Sequence, residues 1–81
     1  MPVIVNFPKS GMGIDEGTVI TWLKAVGDRV EQGEIIVEIE TAKANQEVEA
    51  PASGVLSLIL VQAGETVPVN SDLAVIEDSL P

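Results

Sequence analysis

Cysteine and histidine are both absent from this 81-residue chain. Without cysteine there is no disulfide framework and no thiolate metal site, and without histidine there is no imidazole ligand. The same two gaps remove Cys-His and Ser-His-Asp nucleophilic catalysis. Basic residues are scarce. Four Lys and Arg stand against 13 Asp and Glu, a formal net charge of −9. Such a surface repels phosphate backbones, which argues against a nucleic-acid partner and suits steering toward a basic protein surface. Long apolar runs are missing too. The longest, Leu58-Ile59-Leu60-Val61, is far too short to span a membrane, and Met1-Pro2-Val3-Ile4-Val5 lacks the basic flank of a targeting segment. The default expectation is a bacterial cytoplasmic protein. A mitochondrial matrix protein whose leader had been removed would read the same way.

What is present is apolar and extended. A hydrophobic share of 46% is too high for a disordered acidic tail. The length predicts one domain, residues 1–81, burying roughly 60% of its unfolded surface. β-Branched strands are predicted at Val3–Val5, Thr18–Lys24, Glu34–Glu40, Gln46–Ala50, Val55–Val61 and Asp72–Glu77, with short extended pieces at Arg29–Val30 and Val67–Val69. Glycine or proline punctuates the chain between them, and no stretch reads as a helix, so the class is an all-β sandwich or barrel. Pro8 to Gly17 is a glycine-rich loop in which the apolar Met12 and Ile14 are expected to tuck under the loop, the alternative being a partly exposed contact surface.

The chain also repeats itself at an offset of 37 residues, without a gap. Gly17 matches Gly54, Gly27 matches Gly64, Asp28 matches Glu65, and Val30 matches Val67. Gly33 matches Asn70, two residue types that tolerate positive φ. Ile36, Ile39 and Glu40 match Leu73, Ile76 and Glu77. Each half would supply a curved β unit that buries its apolar face on the other. The spacing of Val19/Trp22 and of Leu56/Ile59, three rather than two, points to a β-bulge in each half. The turn after Glu40 corresponds to the chain end after Glu77, which places the two at opposite poles.

That turn is the sharpest feature. Val37-Glu38-Ile39-Glu40 and Gln46-Glu47-Val48-Glu49 alternate as two half-buried strands, and Thr41 to Asn45 join them with Lys43 between two alanines. Three readings of Lys43 are open on the residues alone: a solvated turn lysine, a catalytic amine, or an acylation site. Glu40 and Glu47 favour the charged amine, which argues against Schiff-base chemistry. An accessible turn between small residues suits a modifying enzyme.

The ordered series Gly11-Met12, Glu16-Gly17-Thr18, Trp22-Leu23, Val26-Gly27-Asp28-Arg29-Val30, Gln32-Gly33-Glu34, Glu38-Ile39-Glu40-Thr41-Ala42-Lys43-Ala44, Ala50-Pro51-Ala52-Ser53-Gly54 and Gly64-Glu65-Thr66-Val67 resembles a lipoyl domain. Such domains belong to the biotin/lipoyl attachment family and occur in the acyltransferase component (E2) of 2-oxo acid and acetoin dehydrogenase complexes. The resemblance implies a barrel-sandwich hybrid: a flattened barrel of two four-stranded antiparallel sheets with internal pseudo-two-fold symmetry. It implies lipoate joined covalently to Lys43, and a carrier without an active site of its own. Acyl groups and electrons would pass from a thiamine-dependent dehydrogenase or decarboxylase (E1) to the acyltransferase core and a dihydrolipoyl dehydrogenase (E3). A lipoate-protein ligase or lipoyl transferase would install the group. Recognition would fall to Glu40, Thr41, Ala42 and Ala44 around the lysine, and to Met12, Ile14, Asp15 and Glu16 in the first loop. One position departs from the family: Ala42 stands where aspartate is common. The alternatives are a biotin carboxyl carrier with biotin on Lys43, and an unmodified interaction module of the same fold.

Overall fold

The computed structural model describes residues 2–8 and 13–78; Met12 therefore lies outside the described residues. The described chain forms eight strands: β1 (Pro2–Asn6), β2 (Glu16–Trp22), β3 (Arg29–Val30), β4 (Ile35–Glu40), β5 (Asn45–Glu49), β6 (Gly54–Ile59), β7 (Thr66–Pro68) and β8 (Asp72–Glu77). They build two four-stranded antiparallel sheets, β1-β8-β6-β3 and β5-β4-β2-β7. The two-sheet, all-β architecture expected from the sequence is the one that forms. The strand limits are set by pairing and not by the nearest glycine. β2 starts at Glu16, earlier than the Thr18 expected, because Glu16, Gly17 and Thr18 pair with Pro68, Val67 and Thr66. β5 starts at Asn45 because that residue pairs with Glu40, which tightens the intervening turn.

The repeat is present in the backbone bond by bond. Gly27 and Gly64 have φ of 98° and 95°, and Gly33 and Asn70 have 89° and 71°. These are left-handed conformations that favour glycine and tolerate asparagine. Asp28 accepts a hydrogen bond from the Ala25 N–H at 2.9 Å, and Glu65 accepts one from the Gln62 N–H at 2.6 Å. The two halves are strapped reciprocally. Gly27 N–H donates to the Leu56 carbonyl and Gly64 N–H to that of Val19, at 2.8 and 2.7 Å. The bulges implied by the 19/22 and 56/59 spacing occur at equivalent places: the register skips Ile20 in β2 and Ser57 in β6. A second pair, at Ile36 in β4 and Leu73 in β8, was not anticipated. It explains why two consecutive residues, Ile36-Val37 and Leu73-Ala74, are buried in strands that otherwise alternate.

β1 stands in for β5. It pairs with β8 from Pro2↔Glu77 to Asn6↔Asp72 as β5 pairs with β4 from Glu40↔Asn45 to Ile35↔Glu49. The turn at Lys43 thus occupies the place where, in the other half, Pro2 pairs with Glu77. β1 runs from Glu77 toward Phe7, whose ring packs where Gly17 approaches Ile39, at the start of β2 beside Glu40. The turn and the paired ends therefore lie at opposite ends of the domain.

The core is the space between the sheets, filled by Val5, Phe7, Val19, Val30, Ile36, Val37, Ile39, Leu56, Leu73 and Ile76, all at or near zero exposure. Each of these large side chains contributes about 1.5–3 kcal/mol by leaving water. Gly17 is required by closeness: a Cβ there would lie 2.5 Å from Ile39 Cγ2 and 2.9 Å from Phe7 Cζ. Trp22 packs on the core edge and donates its indole N–H to the Val61 carbonyl at 2.9 Å.

Candidate functional site

The β4–β5 ladder ends at Glu40↔Asn45. The chain then reverses through Thr41, Ala42, Lys43 and Ala44, with the Thr41 N–H donating to the Ala44 carbonyl at 3.0 Å. Among the described residues the one non-glycine with positive φ is Asn70, so neither Ala42 nor Lys43 adopts it. The tip is consequently not one of the primed turns that favour two-residue hairpins. Ala42, Lys43 and Ala44 are exposed, whereas Thr41 turns inward with 9% exposure. Its hydroxyl donates to the Ala44 carbonyl at 2.6 Å and accepts the Ala44 N–H at 3.2 Å.

The first loop comes up beside the tip. A Cβ on Gly13 would lie 3.7 Å from both Cε and Nζ of Lys43, and the φ of 83° at Gly13 is itself one that a side chain disfavours. The lysine side chain thus lies along the loop where the backbone is bare. Beside the tip runs a groove of about 500 Å³, lined by residues 13–15 of the loop, residues 16–18 at the start of β2, and Glu40, Thr41 and Ala42. Ile14 plugs the loop from beneath at 5% exposure, while Asp15, Glu16 and Glu40 are exposed on the rim. The loop base is held by the Val69 N–H donating to the Asp15 carbonyl at 2.9 Å, and by a hydroxyl pair between Thr18 and Thr66 at 2.7 Å.

Every described residue singled out from the sequence therefore gathers around one lysine, and they divide by orientation. Glu40, Ala42, Ala44, Asp15 and Glu16 face solvent; Thr41 and Ile14 support from within. Gly13, Gly17 and Thr18 complete the groove and were not singled out as site residues. The positive φ of Gly13 is invisible to pattern, and Thr18 reads as an ordinary strand residue. Two other basic residues are engaged elsewhere. Lys24 pairs with Glu34 at 3.0 Å, and Arg29 Nε lies 3.5 Å from Glu31. Glu34 also accepts the Glu31 N–H at 3.0 Å. That bond first, and the Lys24 ammonium second, hold its carboxyl below the usual carboxylate range.

The site is thus an exposed lysine on the tight β4–β5 turn of a small two-sheet β domain. A family profile described as "Biotin-requiring enzyme" matches residues 3–76, and the chain belongs to that biotin/lipoyl attachment family. Within it the chain groups with the lipoyl domains. The solution structure of the lipoyl domain of the 2-oxoglutarate dehydrogenase complex from Azotobacter vinelandii superposes with a TM-score of 0.71 at 36% identity, covering 91% of this chain and 96% of that one. The chain is 47% identical over 72 residues to the dihydrolipoyllysine-residue succinyltransferase component of the 2-oxoglutarate dehydrogenase complex from Staphylococcus saprophyticus, covering 89% of this chain and 17% of the relative. It is 44% identical over 79 residues to the acetyltransferase component of the pyruvate dehydrogenase complex from Rickettsia conorii, covering 96% of this chain and 19% of the relative. The chain thus spans less than a fifth of these curated relatives. The crystal structure of Kluyveromyces lactis urea carboxylase also superposes, with a TM-score of 0.81 at 28% identity, over 95% of this chain and 6% of that one.

Proposed function

We propose that Lys43 is the attachment point of lipoate, and that the domain carries acyl groups and electrons between the active sites of a 2-oxo acid dehydrogenase complex. The observation that carries this reading is the placement of Lys43: exposed on a short turn, flanked by two exposed alanines, at the end of the domain away from Pro2 and Glu77. Two relatives to which the chain is similar are by name dihydrolipoyllysine-residue acyltransferases, and the lipoyl domain from Azotobacter vinelandii matches over 91% of this chain and 96% of its own length.

The residues present fit the group. Ala42 and Ala44 leave the amine open to a lipoate ligase or lipoyl transferase, and the bare backbone of Gly13 leaves room beside the lysine chain. Amide formation at Nζ replaces a cation by a neutral link, so the tip becomes more acidic. When bound, lipoate supplies a dithiolane that accepts an acyl group and two electrons. The chain's own contribution is positional. The β4–β5 hairpin holds Lys43 at an exposed tip, and the rim formed by Asp15, Glu16 and Glu40 gives a partner active site an acidic surface to read. The thiamine-dependent E1, the E2 core and E3 are the partners this role requires. Tethering in a longer chain would raise the local concentration of the arm at each of them.

Intact mass after co-expression with a lipoate ligase and, separately, a biotin ligase tests the reading. A lipoyl-sized increment that disappears in Lys43→Arg is expected. A biotin-sized increment instead would replace lipoate by biotin as the cargo, and no increment with either ligase would leave an unmodified interaction module.

A further inference from the structure

We propose that Thr41 is a positioning residue for the acylation of Lys43, acting through the Ala44 backbone; this rests on Lys43 being the modified lysine. The ladder closes at Glu40↔Asn45, so the tip is a four-residue loop, Thr41 to Ala44, in which no residue has positive φ; loops of this length are commonly built around a type I turn. The extra tie is the Thr41 side chain. Its hydroxyl makes two contacts with the Ala44 peptide groups, donating at 2.6 Å and accepting at 3.2 Å, beside the main-chain bond at 3.0 Å. Three bonds between Thr41 and Ala44 thus enclose Ala42 and Lys43.

The burial pattern gives the same assignment. Thr41 faces inward while each of the three residues after it faces solvent. An enzyme that approaches the tip meets Lys43 and its alanine neighbours and does not meet the hydroxyl. Loss of that hydroxyl would leave the surface of the tip chemically unchanged and would free the Ala44 peptide to move. The reacting amine would then sample positions away from the one a ligase requires, and orientation of reacting groups is a large part of such rates. Thr41 also lines the groove beside the first loop.

The test uses the whole chain and a lipoate ligase with free lipoate. Thr41→Val keeps the shape and removes the hydroxyl; Thr41→Ser keeps the hydroxyl. We expect kcat/KM for lipoylation to fall about fivefold in Thr41→Val, the scale of one net hydrogen bond, with Tm lowered by about 4–8 °C and the chain folded at the assay temperature. Thr41→Ser should stay within about twofold of the unaltered chain, since its hydroxyl restores the contact. Amide exchange at Lys43 and Ala44 should speed up in Thr41→Val alone. Lipoylation of Thr41→Val at the unaltered rate, or a loss in Thr41→Ser as large as in Thr41→Val, overturns the positioning role. Failure of the unaltered chain to be modified overturns the assignment of Lys43 itself, a result distinct from either.

Discussion

At equivalent backbone positions the two sheets present opposite chemistry to solvent. Across β5-β4-β2 the outward row is Glu47, Glu38 and Thr21; across β1-β8-β6 it is Ile4, Val75 and Leu58. Ile4 and Leu58 are 45% and 54% exposed. Glu38 and Glu47 lie directly opposite each other, an unfavourable like-charge pair. Inward, by contrast, the halves agree residue for residue: Val19 with Leu56, Ile36 with Leu73, Ile39 with Ile76. The difference separates two kinds of constraint. Turns with positive φ, carboxylates that cap N–H groups, bulges and inward apolar residues are demanded by the geometry, so both halves meet them. The outward rows are not demanded by the fold. The acidic row lies on the sheet whose hairpin holds Lys43.

The largest test of this separation falls on a core position where the halves disagree. Phe7 follows β1 as Ala50 follows β5, and the two make matching bonds: Phe7 N–H to Ser71 and Ala50 N–H to Glu34, both at 2.9 Å. One ring fills space for both halves, since it reaches Gly17 in the other sheet. Phe7→Ala should destabilise by about 3–5 kcal/mol, measured by urea unfolding. A loss near 1 kcal/mol would show that the core can collapse around the gap and is more tolerant than its burial implies.

Gly17 and Gly54 come next. They are equivalent, yet a Cβ at Gly54 would collide with the Glu77 carbonyl, while one at Gly17 would meet the ends of the Ile39 and Phe7 side chains. Backbone yields less easily than a side chain. Each alanine substitution should cost about 1–3 kcal/mol, within the range for overpacking, and Gly54→Ala should be the worse. The reverse order would mean that the Phe7 ring is held more rigidly than the β8 backbone.

On the outward rows the expected effect is small. Leu58→Thr, which places in β6 the residue type its counterpart Thr21 has in β2, should change stability by no more than about 0.5 kcal/mol. It should lower binding of a hydrophobic dye. A destabilisation above 1 kcal/mol would make the apolar row part of the structural frame after all.

These contrasts also mark what sequence can carry. The offset of 37 exposed the glycines, the capping carboxylates and the bulges at Ile20 and Ser57, because each leaves a residue type or a broken alternation. The equivalence of β1 with β5 stayed hidden: Pro2–Asn6 sits at a different offset, and its role depends on which strand it pairs with. The bulges at Ile36 and Leu73 were masked by their apolar neighbours, which read simply as continuous strand. Lys43 was legible as an accessible turn residue. Ile14 was legible as an apolar residue that tucks under its loop, and it is 5% exposed; the inward rotation of Thr41 was not, since the residue pattern does not say which way a turn hydroxyl faces. Met12 falls outside the described residues.

The smallest predicted effect concerns a cap that one half has and the other cannot have. Glu34 N–H donates to the Glu31 carbonyl, as Ser71 N–H does to that of Pro68. In the first half the Glu34 carboxylate returns a bond to the Glu31 N–H; in the second, Pro68 has no N–H to cap. The Glu34 carboxyl is held below its ordinary range, chiefly by that N–H and then by Lys24. Because the folded value lies below the unfolded one, the stabilisation is complete above the unfolded value and is lost as pH falls through the folded one. Glu34→Gln should therefore lower Tm slightly at neutral pH, and the gap to the unaltered chain should close in acid, below the ordinary carboxylate range. A gap that stays constant down to about pH 3 would show that the charge of Glu34 contributes nothing. High salt sharpens the assignment. It screens the exposed Lys24 pair and leaves the bond to the Glu31 N–H in place, so part of the pH-dependent gap should survive it. Complete loss in salt would place the stabilisation on Lys24, and the cap would then give the first half no advantage over the second.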